Sequence, residues 1–252
     1  MMQLLVSVRD EAEARDACAA GAALIDLKEP IAGPLGPVHV SSWPAIRAAV
    51  GDGAPLSVAL GELTDPHLLD RVSRLSGFDF AKIGLAGLAD APDWPQRLAD
   101  VWRRIPATTR KVAVAYADYG RCAAPPPEQI LDAAPAGCSA LLIDTATKGP
   151  GESLFDHLTA GRLRVLIEAA RQRRWTVVLA GSLRLERLDD AAALAPDYVA
   201  VRGAVCRGAR DGRLDPQLVR DWVRAVRERA PSCASSPPPS TINRSRHACP
   251  NS

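Results

Sequence analysis

The segment AALIDLKEP, Ala22–Pro30, decides the fold. As a strand over Ala23–Leu27 that runs into Lys28, it alternates side chains between two faces. Ala23, Ile25 and Leu27 form one wholly apolar face, while Leu24, Asp26 and Lys28 share the other. A strand that is apolar outward, and that ends inward in an acid and an amine, suits a parallel sheet covered by helices with chemistry at its carboxyl end. The segment FDFAKIGL repeats the pattern, with Phe80, Lys82 and Gly84 on one face and Ala81, Ile83 and Leu85 on the other. In ALLIDTATKG, Leu142 and Asp144 share a face and Lys148 follows in the loop.

Outward from these three, short apolar runs and longer amphipathic segments alternate eight times. The expected strands are Gln3–Val8, Ala23–Leu27, Leu56–Leu60, Phe80–Ile83, Val112–Ala117, Ala140–Asp144, Thr176–Ala180 and Tyr198–Val201. Helical patterns follow at Glu11–Ala20, Ser42–Val50, Pro66–Leu75, Trp94–Arg104, Pro127–Ala134, Thr159–Arg173, Leu185–Leu194 and Pro216–Arg229. Eight such units close most simply into a single α/β domain, a (β/α)8 TIM barrel over residues 1–230. A doubly wound open sheet is the alternative, but no GxGxxG follows the first strand. From residue 231 to 252 the chain is rich in Pro and Ser and poor in apolar periodicity, which reads as a disordered tail.

Only four of the 31 basic residues are lysine, and three of them, Lys28, Lys82 and Lys148, fall at or just beyond strand ends. Arginine stays protonated, whereas a desolvated lysine can lose its proton and attack a carbonyl. The fourth, Lys111, precedes its strand and belongs to the opposite end of the barrel. Strands two, four and six converge in such a barrel, so Asp26, Lys28, Lys82 and Asp144 become neighbours. Each Asp–Lys pair reads equally as catalytic machinery or as a satisfied ion pair. The fifth strand ends in VAYADYG, with Tyr116 and Asp118 inward, which serves a substrate hydroxyl, a proton relay or a buried hydrogen bond. The turns AGSL and VRGAVCRG follow strands seven and eight, where barrels cradle phosphate, and make Gly181, Ser182, Arg202 and Gly203 the phosphate candidates.

Composition narrows the class. A net charge of +2, dispersed basic residues and 4% aromatics give no nucleic-acid signal, so the expected partner is a small molecule. Six cysteines without CxxC spacing, and four histidines (His39, His67, His157, His247) placed in loops, helix starts or the tail, point to reduced thiols, surface imidazoles and no metal site. No stretch is of membrane-spanning length and the first residues do not form a signal peptide, so a cytoplasmic location is expected. A homo-oligomer is left open.

Six segments together resemble a known family: IDLKEPIAGPLG (Ile25–Gly36), DFAKIGL (Asp79–Leu85), AYADYGR (Ala115–Arg121), LIDTATKGPGESLFD (Leu142–Asp156), LAGSL (Leu179–Leu183) and VRGAVC (Val201–Cys206). They are similar, in order over residues 2–228, to (5-formylfuran-3-yl)methyl phosphate synthase of methanofuran biosynthesis. The resemblance implies a barrel enzyme without cofactor or metal that condenses two molecules of glyceraldehyde 3-phosphate into 4-(hydroxymethyl)-2-furancarboxaldehyde phosphate, with loss of phosphate and water. It implies Lys28 as the Schiff-base lysine and Lys82 as proton acceptor, with Asp26 and Lys148 as further site residues. Glu152 departs from the basic residue expected at that place in some relatives. The arginine content and the tail fit a bacterial relative from a GC-rich genome. A class I aldolase of another specificity and a non-catalytic phosphosugar-binding barrel are the competing readings.

Overall fold

In the computed structural model, which describes residues 1–149 and 151–229, the apolar outward faces of eight strands meet an outer layer of helices. The strands are β1 Gln3–Val8, β2 Leu24–Leu27, β3 Leu56–Glu62, β4 Phe80–Gly84, β5 Arg110–Tyr116, β6 Cys138–Asp144, β7 Thr176–Leu179 and β8 Tyr198–Val201. Each pairs in parallel with the next, and β8 pairs with β1, so the sheet closes as a barrel. The helices are α1 Glu11–Ala19, α2 Trp43–Val50, α3 Leu68–Ser73, α4 Trp94–Trp102, α5 Pro127–Ala133, α6 Leu154–His157, α7 Ala160–Gln172, α8 Leu188–Ala192 and α9 Pro216–Arg229. The expected (β/α)8 barrel is the observed one. The expected tail, 231–252, lies outside the described residues.

Two apolar clusters follow from strand alternation. Ile25, Leu27, Ala81, Ile83, Leu141 and Ile143 face outward and pack with helix residues such as Ile46, Leu98 and Ile167. Leu5, Leu24, Phe80, Val112, Val114 and Leu142 fill the barrel interior. Above that inner layer the side chains turn polar: Ser7, Asp26, Lys82 and Asp144 are all buried. Complete removal of such charges from water requires partners, so the strand register that pairs Ser7 with Asp26 and Tyr116 with Asp144 fixes the site as much as the fold.

Four local features differ from expectation. The helix expected at Leu185–Leu194 is a 3-10 turn, Leu185–Arg187, followed by the five residues of α8. Pro196 disfavours helical backbone at Ala195, which takes φ +51, and the helix has ended by then. The helix expected from Pro66 to Leu75 is confined to Leu68–Ser73. The chain after β6 forms α6, held by a reciprocal Ser153–Asp156 capping box that the sequence reading missed. Lys111 lies inside β5, at its amino-terminal end and away from the site. Among the described residues no helix is long and apolar enough to cross a membrane.

Candidate active site

The carboxyl ends of β2, β4 and β6 bring the expected acids and amines into one layer. Lys82 Nζ lies 2.6 Å from Asp26 Oδ1, with side-chain exposures of 5% and 0%. That approach is a close charge contact, off the axis of a well-formed hydrogen bond. Asp26 Oδ2 accepts a hydrogen bond from Ser7 Oγ at 3.0 Å. Asp144 serves two amines at once. Lys148 Nζ donates to its Oδ1 at 2.8 Å and to Thr145 Oγ1 at 2.8 Å, while Lys28 Nζ reaches Oδ2 at 3.5 Å.

Burial would raise the Asp144 carboxyl, but the ammonium groups of Lys148 and Lys28 and the Thr145 amide outweigh it and hold the group well below the usual carboxylate range. Burial pushes the Lys82 amine down; the Asp26 charge opposes this and the Lys28 charge adds to it. Lys148 is likewise lowered by burial, against the pull of Asp144 and with the help of Lys28 and Arg210. Crowding three amines around two carboxylates in a water-poor layer therefore favours loss of an amine proton.

A cavity of about 320 Å³ opens over this layer at the mouth of the barrel. Lys28, Lys148 and Asp144 form its floor side, and Gly181, Ser182, Gly203 and Arg210 its opposite wall. Gly181 has φ +94 and Ser182 φ +51, a left-handed pair that turns the chain sharply after β7. A Cβ on Gly181 would stand 3.0 Å from Thr145 Cγ2, so the turn packs directly on the loop that carries Lys148. Its dimensions and polarity suit a small anionic ligand.

Arg202 needs correction as a phosphate candidate. Its guanidinium donates to the Glu13 carboxylate and to the carbonyls of Ser7, Arg210 and Gly212, which ties β8 to α1 and to the following loop. The residue lines the cavity, but its guanidinium donors are engaged within the protein. Arg210, missed in the sequence, lines the wall, half-buried and within electrostatic reach of Asp144; the exposed Arg184 lines the cavity as well. Arg207, Arg210 and Arg213 share one loop, and their spacing carries no signal that singles out Arg210.

Asp118 is also placed differently. Its carboxylate accepts from the amides of Ala146 and Thr147 at 2.7 and 2.8 Å and from the Thr147 hydroxyl, so it clamps the loop bearing Lys148 and does not face the amines. Burial works to raise this carboxyl, but those hydrogen bonds bring it below its ordinary value. Tyr116 donates to Glu62 Oε1 at 2.6 Å, and Glu62 Oε2 takes the Ala86 amide at 2.9 Å. This pair fills the wall above Gly84, where an added Cβ would collide with both groups. Burial raises the Glu62 carboxyl and raises the Tyr116 hydroxyl further still.

His157, expected at the surface, has a side chain only 8% exposed, beside Glu152, which also pairs with Arg121 at 2.6 Å. The cysteines among the described residues, Cys18, Cys122, Cys138 and Cys206, are free thiols. No group of three or more His, Cys, Asp or Glu among the described residues is placed to hold a metal ion.

Fold and site together define a (β/α)8-barrel enzyme built on paired lysines and carboxylates at the catalytic end of the strands. The chain belongs to the 4-HFC-P synthase family, whose model matches residues 4–223. It is 34% identical over 239 residues to (5-formylfuran-3-yl)methyl phosphate synthase of Methanococcus maripaludis, covering 90% of this chain and 100% of the relative. It is 30% identical to the protein of that name from Archaeoglobus fulgidus, covering 89% and 99%. Among solved structures it resembles phosphoribosyl anthranilate isomerase of Thermotoga maritima, with TM-score 0.62, 14% identity and coverage of 90% of this chain and 100% of that one. It also resembles 3-hexulose-6-phosphate synthase of Salmonella typhimurium, with TM-score 0.61, 16% identity and coverage of 91% and 100%. At such identities these two likenesses concern the barrel alone.

Proposed function

We propose that this chain condenses two molecules of glyceraldehyde 3-phosphate into 4-(hydroxymethyl)-2-furancarboxaldehyde phosphate through an imine on Lys28, in the formation of a methanofuran-type carrier. The observation that carries this reading is the state of the Lys28 amine. It stands at the cavity, and its one close acceptor among the described residues, Asp144 Oδ2, lies at the 3.5 Å limit of hydrogen bonding. Lys148 also borders the cavity, but two 2.8 Å hydrogen bonds hold it. Lys82 sits behind, against the inner apolar layer. Lys28 is thus the amine freest to attack.

Attack on the aldehyde carbon gives a carbinolamine. The departing hydroxyl takes a proton from the Lys148–Asp144 pair and leaves as water. The imine draws electrons from the adjacent carbon, whose proton goes to the Asp26–Lys82 pair, and the resulting enamine adds to the second aldehyde. Ring closure and eliminations release one inorganic phosphate and two waters for each pair of trioses, without oxidation or reduction, and hydrolysis frees Lys28. Gly181, Ser182, Gly203 and Arg210 hold the phosphate.

The test is incubation of the protein with glyceraldehyde 3-phosphate alone, following near-ultraviolet absorbance and product mass, with borohydride added to trap the imine. The reading requires a furan aldehyde phosphate and a reduced adduct on the Lys28 peptide. An aldol product in place of the furan, or an adduct on another lysine, refutes it.

A further inference from the structure

The proton acceptor and the substrate occupy different compartments. Asp26 is 0% exposed, and Lys82 borders the apolar interior with Leu5, Leu24, Phe80 and Val112, whereas neither lines the cavity over Lys28. A proton leaving substrate needs a bridge between them. Ser7, near the end of β1, stands on the boundary: it lines the cavity, and its Oγ donates to Asp26 Oδ2 at 3.0 Å. Asp26 Oδ1 in turn meets Lys82 Nζ at 2.6 Å.

We propose that Ser7 is the relay residue that carries protons between the cavity and the buried Asp26–Lys82 pair, an inference that rests on the imine reading above. Two features make the position specific. Ser7 follows Leu5 on the inward face of β1, at the step where the apolar interior gives way to the polar layer, so its hydroxyl meets Asp26 on one side and the cavity on the other. Its backbone carbonyl accepts from the Arg202 guanidinium at 3.2 Å, which fixes the residue through the same network that ties β8 to α1. A hydroxyl also donates and accepts at once, as no apolar residue can.

In the step assigned to it, Ser7 Oγ takes the proton from the carbon beside the imine while its own proton passes to Asp26 Oδ2. One C–H and one O–H bond break, two O–H bonds form, and the electron pair of the C–H bond stays on the substrate as the enamine. Asp26 then shares the proton with the Lys82 amine on its other side. The reverse transfer returns it when a later intermediate needs an acid.

The experiment compares native protein with Ser7→Ala and Ser7→Thr, using glyceraldehyde 3-phosphate, and measures separately the rate of borohydride-trapped adduct on Lys28 and the rate of furan formation. Removal of the hydroxyl should leave adduct formation within about twofold while furan formation falls on the order of a hundredfold. The Thr variant, which keeps the hydroxyl, should recover most of that loss. A hydroxyl that only shapes the cavity would slow both rates together, and that result, or native furan formation in Ser7→Ala, overturns the relay. Should the Ala variant fail to fold, the native protein decides in mixtures of light and heavy water. Two protons moving together bow the dependence of the furan-forming rate on deuterium fraction, and a straight line overturns the proposal. Absence of any adduct in the native protein refutes the imine reading instead.

Discussion

The ion pair between Lys82 and Asp26 offers a quantitative test of whether this layer exists for chemistry or for stability. At 2.6 Å, with an effective dielectric constant of about 20, the two charges attract by about 6 kcal/mol. Against this stands a desolvation penalty of several kcal/mol for each ion, so the intact pair contributes roughly nothing net. Lys82→Met removes one partner. It leaves the Asp26 carboxylate buried with the Ser7 hydroxyl as its remaining donor, and should destabilise the barrel by about 3–5 kcal/mol.

For a barrel of this size that lowers the melting temperature by roughly 10 °C. The double variant Asp26→Leu with Lys82→Met removes both charges and fills the space with apolar atoms. It should recover native stability or exceed it by about 1–4 kcal/mol while forming no furan. Urea unfolding followed by tryptophan fluorescence measures all three proteins. If the double variant is as unstable as Lys82→Met, or if Lys82→Met loses less than about 1 kcal/mol, the balance of attraction against desolvation is misjudged.

Lys28→Arg keeps charge and approximate size but cannot form an imine, so both trapped adduct and furan should vanish with the melting temperature little changed; a retained adduct would move the nucleophile elsewhere. Arg210→Met should raise the substrate concentration needed for half-maximal adduct formation by about tenfold or more without abolishing the adduct, as loss of a charge-assisted phosphate contact predicts; an unchanged concentration dependence removes Arg210 from the phosphate site. Burial lowers Lys82 and Lys148 below the ordinary lysine value, so at these two groups the unfolded chain binds more protons between neutral pH and about pH 10 and their contribution to stability rises, opposite in sign to that of the four thiols among the described residues, which burial raises. The change in denaturation midpoint from pH 7.5 to 9.5 should therefore be more positive in the native protein than in the Asp26→Leu, Lys82→Met protein, in which the thiols are unchanged; an equal change removes the lysine contribution. On the acid side the Asp144 contribution, present above the unfolded carboxylate value of about 4, should be lost as pH falls below it.

The barrel and its lysine layer were legible because both rest on local alternation. IDLK, FAKIG and LLID each place an apolar side chain outward at every second position and carry a charged one inward, and no distant residue is needed to see it. Asp118 was misplaced because the strand stops at Tyr116: beyond that point the chain turns, alternation no longer applies, and the carboxylate meets the amides of Ala146 and Thr147. Arg202 was misjudged for a different reason. Its partner Glu13 lies 189 residues earlier in the chain, and nothing near Arg202 reveals that its donors are engaged.

Glu62 shows how a single irregularity hides a functional wall. Strict alternation from the inward residues Ser57 and Ala59 puts Gly61 inward and Glu62 outward, among helices, where a carboxylate would be read as surface. The β3–β4 register shifts between Ala59 and Glu62, and Gly61 takes φ +95, a conformation that glycine adopts without strain. The extra residue turns Glu62 into the barrel mouth. There its carboxylate occupies the space above Gly84 and meets the Tyr116 hydroxyl. The bulge therefore moves an acid from the helix-facing side of β3 to its inner side, where a hydrogen bond to Tyr116 receives it. Lys28, Lys148, Arg210 and the glycine turns line the cavity at the ends of β2, β6, β7 and β8, whereas Glu62 and Tyr116, both raised by burial, stand over Gly84 at the β3–β5 side and outside that cavity lining.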